Sequence, residues 1–117
     1  MKKNIFFVLL LYCSAWGSLH AASTDEEIGH LLQFVEQSQC TFERNGKLYS
    51  SHQARAHISR KYSHIKKRVK NTEDFIRYAA TQSSITGKKY HATCNGETIT
   101  SEAWLSNELS RYRQRER

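Results

Sequence analysis

The 117-residue chain contains no proline. That absence excludes disorder of the Pro-rich kind. Cysteine is scarce, at three residues. Acidic side chains are missing from Arg44 to Thr72, a stretch that holds nine Lys or Arg and three His. Long apolar runs are missing too. The longest, Ile5 to Tyr12, falls short of the ~20 residues that a membrane span needs. Several chemical signatures are also absent. There is no Gly-x-Ser-x-Gly elbow, no His-Glu-x-x-His, and no glycine-spaced phosphate loop that opens a helix.

Lys2 and Lys3 precede the apolar run, and small residues in "SLHAAS" follow it. This is the pattern of a secretory leader. The reading places a cleaved signal peptide at 1–22 and one mature domain at 23–117, with 113–117 as a frayed tail. Cutting after Ala21 or Ser23 fits almost as well. The mature chain would carry no transmembrane segment and would reside in the periplasm. Its net charge would fall from +7 to +5 as Lys2 and Lys3 leave. Cys13 would leave as well, so Cys40 and Cys94 remain as an even pair in an exported chain. An intramolecular disulfide is the expectation. Closing so long a loop contributes about 4 kcal/mol in the chain-entropy account.

Thr24 to Ser38 reads as a helix with Thr24 and Glu27 as capping box and Ile28, Leu31, Leu32 and Val35 on one face. Asn45-Gly46 between "TFER" and "KLY" marks a hairpin, because both residues tolerate a positive φ. Ser50 or Ser51 caps a long helix to about Lys70. Its stripe is Ala54, Ile58, Tyr62, Ile65 and Val69, which fall within roughly 80° of each other at helical spacing. Asn71 or Thr72 caps a third helix carrying Phe75, Ile76, Ala79 and Ala80. "YHATC", Asn95-Gly96 and "ETIT" form a second hairpin, and Thr100 or Ser101 caps a last helix with Trp104, Leu105, Leu109 and Tyr112. The order α-β-β-α-α-β-β-α predicts a small α+β domain. Two Asn-Gly hairpins pack with helices and are stapled by one disulfide.

The strings "FERNG", "ARAHISRKY", "TEDFI", "ATQSSITGKKY" and the closing "WL..EL..YR" resemble the YfeK-like family of small proteobacterial periplasmic proteins. The resemblance covers most of the mature chain. It implies export and this fold. The family has no assigned function, so the resemblance transfers no chemistry. Where the family's third helix opens Thr-Ala-Glu, this chain reads Asn71-Thr72-Glu73, and asparagine caps as well as threonine.

Charge is the strongest physical feature. His57, Lys61, His64 and Arg68 follow spacing i, i+4, i+7, i+11 and form one column beside the apolar stripe. Like charges so placed repel by a few tenths of a kcal/mol per pair, about 0.2–0.5. Either the column binds an anion or it is a solvated face tuned for solubility. With two histidines titrating near neutrality, binding would tighten in mild acid. His57 borders the stripe and also fits a half-buried structural role.

The stretch "SSITGKKY" is a second candidate. Ser83, Ser84 and Thr86 offer hydroxyls, Gly87 permits close approach of a ligand, and Tyr90 starts the next strand. The alternative is a connector whose hydroxyls cap the preceding helix. A serine nucleophile would need a histidine within reach. No metal site is expected, since His57 and His64 lie about 10 Å apart along a helix. The sequence therefore predicts a monomeric, cofactor-free, non-enzymatic binding or accessory module. Its partner would be an anionic envelope component or a protein, and not a nucleic acid. Arg44 joins the loop as a second patch. The alternative is a small envelope hydrolase using Ser83 or Ser84 with a histidine.

Overall fold

The computed structural model describes residues 21–116, so most of the leader expected at 1–22, and Arg117, lie outside the described residues. Helix α1 spans Thr24–Gln37. Strands β1 (Thr41–Arg44) and β2 (Lys47–Tyr49) follow. Helix α2 spans Ser51–Ile65, and a 3-10 turn covers Lys66–Arg68. Helix α3 (Thr72–Ala79), strands β3 (His91–Cys94) and β4 (Glu97–Thr100), and helix α4 (Ser101–Arg115) complete the order α-β-β-α-α-β-β-α. The strands form one antiparallel sheet in the order β2-β1-β3-β4. Each hairpin turns on an Asn-Gly pair in the left-handed region: Asn45 at φ 54° and Gly46 at 80°, Asn95 at 53° and Gly96 at 82°.

The two hairpins meet at β1 and β3, where Phe42 pairs with Ala92. The disulfide between Cys40 and Cys94 joins the hairpins along this central seam, with Cα atoms 4.7 Å apart. Helices supply most of the core. Ile28, Leu31 and Val35 of α1, Ala54 and Ile58 of α2, Phe75, Ile76 and Ala79 of α3, and Leu105 and Leu109 of α4 are all buried. From the sheet, Phe42 and Ala92 join them. Trp104 closes one edge against Phe34 and Phe42, with ring centroids 4.6 and 5.4 Å away.

Four details depart from the sequence reading. The first helix is capped one residue earlier, by a reciprocal box of Ser23 and Glu26. Glu27 is thereby free to turn inward, where it accepts from the Thr72 hydroxyl and from Arg113. Arg113 in turn bonds Glu73, so α4 runs helically through Arg115 where a frayed tail was expected. Helix α2 stops at Ile65, short of Lys70. Among the described residues, no helix is long and apolar enough to cross a membrane.

Candidate functional site

Helix α2 starts firmly. The Ser50 hydroxyl accepts from the Gln53 amide, and the Gln53 side chain accepts from the Ser50 amide. From this anchored end the helix projects His57, Arg60, Lys61 and His64 along one side. The tip of the β1–β2 hairpin brings Arg44 and Asn45 to the same place. The segment 82–90 closes it from a third direction. Together they line a cleft of about 250 Å³ that brings together parts of both patches marked in the sequence: His57, Lys61 and His64 of the helix column, and Arg44, Ser83, Ser84 and Tyr90 of the second patch.

The loop is a folded unit. Its base is an antiparallel bridge between Gln82 and Lys89, and the Ser83 amide donates to the Lys88 carbonyl at 2.9 Å. The buried Ser83 hydroxyl accepts from the amides of Ile85 and Thr86, both at 3.2 Å. Gly87, at φ 76°, donates its amide to the Ser83 carbonyl. Asn45 fastens the loop to the hairpin. Its side chain donates to Ser83 Oγ at 3.4 Å and accepts from the Thr86 hydroxyl at 2.7 Å. The loop hydroxyls therefore do not cap the preceding helix. Thr81 does, by donating to the Ile76 carbonyl at 2.8 Å. Asn45 was legible as a turn residue, but its role as the loop's clamp was not.

Tyr90 is the floor of the cleft. Its backbone joins the end of α3 to the start of α4: Tyr90 N–H donates to the Thr81 carbonyl, and Ser101 N–H donates to the Tyr90 carbonyl, each at 2.9 Å. Only 7% of Tyr90 is exposed. It precedes β3 instead of starting it. The Tyr90 hydroxyl lies 3.1 Å from His57 Nε2 and 3.1 Å from Lys61 Nζ. Lys61 can only donate, so it gives one N–H to Tyr90 and another to the Gln82 carbonyl. One of its three N–H groups is left uncommitted by these bonds.

Burial holds the His57 imidazole down to about 4, helped by the positive charges of Arg44, Lys61 and Arg60. His57 is therefore neutral near pH 7 and stays so in mild acid. The expected tightening of binding as pH falls does not come from this residue. Burial also lowers the Lys61 ammonium, with Arg44 acting in the same direction. It raises the Tyr90 phenol, which Arg44 opposes. Arg44 thus exerts its field on all three groups. Its own guanidinium rests 4.6 Å from the centre of the Tyr49 ring.

The cleft has no carboxylate in its wall. Among the described residues, Arg44, Arg60, Lys61 and Arg68 form no ion pair. The acids lie elsewhere: Glu36 pairs with Arg55, Glu108 with Arg111 and Arg115, and Glu27 and Glu73 with Arg113. Arg68 is the residue that the expected column does not hold. It sits in the 3-10 turn with its guanidinium 4.3 Å from the Tyr78 ring centre. It lines a neighbouring groove with Thr86 and Gly87.

The arrangement offers little to a serine hydrolase. Among the described residues, no histidine hydrogen-bonds Ser83 or Ser84, and His57 is committed to Tyr90. His91 pairs with Glu43 in the β1–β3 register and so faces the side of the sheet opposite Arg44. Its buried Nδ1 has no hydrogen-bond partner, since the nearest Glu43 oxygen is 3.6 Å away. Among the described residues, no group of three or more His, Cys, Asp or Glu could hold a metal ion.

The family described as "Family of unknown function (DUF5329)" matches residues 22–113. The uncharacterized protein YfeK of Salmonella typhimurium is 34% identical over 92 residues, or 77% of each chain. No solved structure matches.

Proposed function

Because the chain belongs to the family of unknown function DUF5329, no chemistry comes to it by kinship, and we propose from its own geometry that it is a non-enzymatic anion-binding module. The binding site is the cleft between α2, the β1–β2 tip and the loop 82–90. One observation carries this reading: Arg44, Arg60 and Lys61 converge on one concave surface with no carboxylate to neutralise them. Such a cluster destabilises the empty fold by mutual repulsion, and a phosphate or carboxylate relieves that repulsion. Arg44 supplies a planar fork suited to bidentate contact, and Lys61 supplies a point charge with a free donor. The neutral His57–Tyr90 pair fixes Lys61 and contributes no charge. Export to the periplasm belongs to the same proposal. The leader pattern and the Cys40–Cys94 disulfide support it.

The test is a titration with inorganic phosphate, followed by amide shifts. Arg44→Gln combined with Arg60→Gln is expected to weaken binding at least about tenfold, the scale of one lost charge-assisted hydrogen bond. Unchanged affinity in a variant that melts like the parent would refute the assignment.

A further inference from the structure

Ile85 is the most exposed large hydrophobic residue among those described, at 95%. A lone surface isoleucine is ordinary. This one is set apart by how it is held and by what surrounds it.

It is held rigidly. Its own amide and that of Thr86 are both bound by Ser83 Oγ. The loop beneath it is closed by the Ser83–Lys88 bond and by the two contacts with Asn45. The side chain therefore stands at the tip of an ordered loop, so little conformational entropy is lost when a partner covers it.

It is surrounded by cations. Ile85 lines both basic grooves, together with Lys61, Ser83 and Ser84. One groove adds Arg44 and Arg60 to the shared Lys61. The other adds Arg68 and Lys89, with Glu102, 3.8 Å from Lys89, as the only carboxylate among the described residues of that wall. An apolar tip beside Arg44, Arg60, Lys61 and Arg68, which form no ion pair among the described residues, is out of place for a free anion in water, because the tip would stay wet after the anion has bound. A bilayer interface offers both complements at once. Its phosphates meet the cations, and its acyl boundary lies beneath them to receive the apolar side chain.

We infer that the cleft docks on an anionic lipid surface, with headgroup phosphates at Arg44, Arg60 and Lys61 and Ile85 entering the interface. This inference rests on the anion-binding reading above and names its source of phosphate. It needs no membrane-spanning segment. The contact is peripheral and reversible, since one aliphatic side chain and a few cations give weak attachment.

The experiment uses the chain from Ser23 onward, which keeps every packed element and removes the apolar leader that would itself bind lipid. Its melting transition confirms that it is folded. The probes are vesicles of phosphatidylglycerol with phosphatidylcholine, vesicles of phosphatidylcholine alone, and inorganic phosphate. Co-sedimentation is expected with the anionic vesicles only, and to decline as salt is added. Ile85→Ser should lower the vesicle partition about tenfold, more than it lowers phosphate affinity, and Ile85→Trp should raise it. Arg44→Gln should lower the partition about fivefold, the scale of one cation at an anionic surface. Two results overturn the inference. One is vesicle binding that is indifferent to Ile85→Ser. The other is phosphate binding without vesicle binding, which leaves the anion site standing and assigns it to a soluble anion or an acidic protein. If neither phosphate nor vesicles bind, the anion-binding reading falls as well.

Discussion

His57 sits among nine cations in the sequence, yet it is neutral. Burial is the main cause, and Arg44, Lys61 and Arg60 add to it. Its pKa of about 4 lies below the ordinary value of 6.5, so the sign of the linkage is fixed. Between those values the unfolded chain takes up a proton that the folded chain refuses, and stability falls as pH drops through that window. The NMR titration of the His57 ring should show a midpoint near 4, moving upward when phosphate occupies the cleft. The melting temperature should fall between pH 7 and 5 by more in the parent than in His57→Gln. A ring midpoint above 6 would contradict the buried His57–Tyr90 pair. The sequence marked His57, Lys61 and His64 because spacing along a helix is local information. It could not show that Tyr90 lies under them or that Asn45 clasps the loop, since those contacts join residues 33 and 38 positions apart. A titration state depends on such contacts and is hidden for the same reason.

Elements were legible where a local signal was unambiguous. Both Asn-Gly turns are such cases, whereas the caps of α3 and α4 were each narrowed to two neighbours, of which the structure uses Asn71 and Thr100. The first helix was ambiguous, because Ser23 and Thr24 each have a glutamate three residues on. The core decides between them, since Glu27 is needed inside by Thr72 and Arg113. The break in α2 was invisible for another reason. With no proline or glycine near Lys66, nothing marks the end of the helix, and Val69 still packs against the core after the turn. The exit of α1 carries a different signature. Gln39 adopts φ 58°, a left-handed conformation that costs a residue with a Cβ about 1–2 kcal/mol. Gln39 is exposed, so Gln39→Gly removes that cost without opening a cavity. Urea titration should show a gain of about 0.5–1 kcal/mol after the added flexibility of the unfolded glycine is subtracted. A loss of stability would mean that the Gln39 side chain makes contacts worth more than the strain.

Across the whole molecule, the carboxylates are shared unevenly among the cations. Glu27 and Glu73 hold α1, α3 and α4 together through Arg113, and Glu108 binds His30 as well as Arg111 and Arg115. Arg60 and Lys61 of α2 and Arg44 at the hairpin tip have no such partner among the described residues. Unpaired cations gathered in one cleft would steer an anionic partner towards it, and added salt would weaken that steering. The disulfide acts at the same scale. It joins two strands already paired at the centre of the sheet, so its main effect is on the unfolded chain, whose 54-residue separation it closes. Replacing both Cys40 and Cys94 with Ala should cost about 2–4 kcal/mol and lower the melting temperature by more than about 10 °C. A melting temperature within a degree or so of the parent would show that the sheet needs no covalent support.

The capping box at Ser23 would give the proposed processing of a leader a thermodynamic side. A peptidase cutting after Ala22 would leave Ser23 as the first residue, with its nitrogen still donating to Glu26 and its hydroxyl still holding the Glu26 amide. A cut one bond later would release the cap with the leader and weaken the first helix by about 1 kcal/mol. Fidelity of export and firmness of the fold would then depend on the same serine.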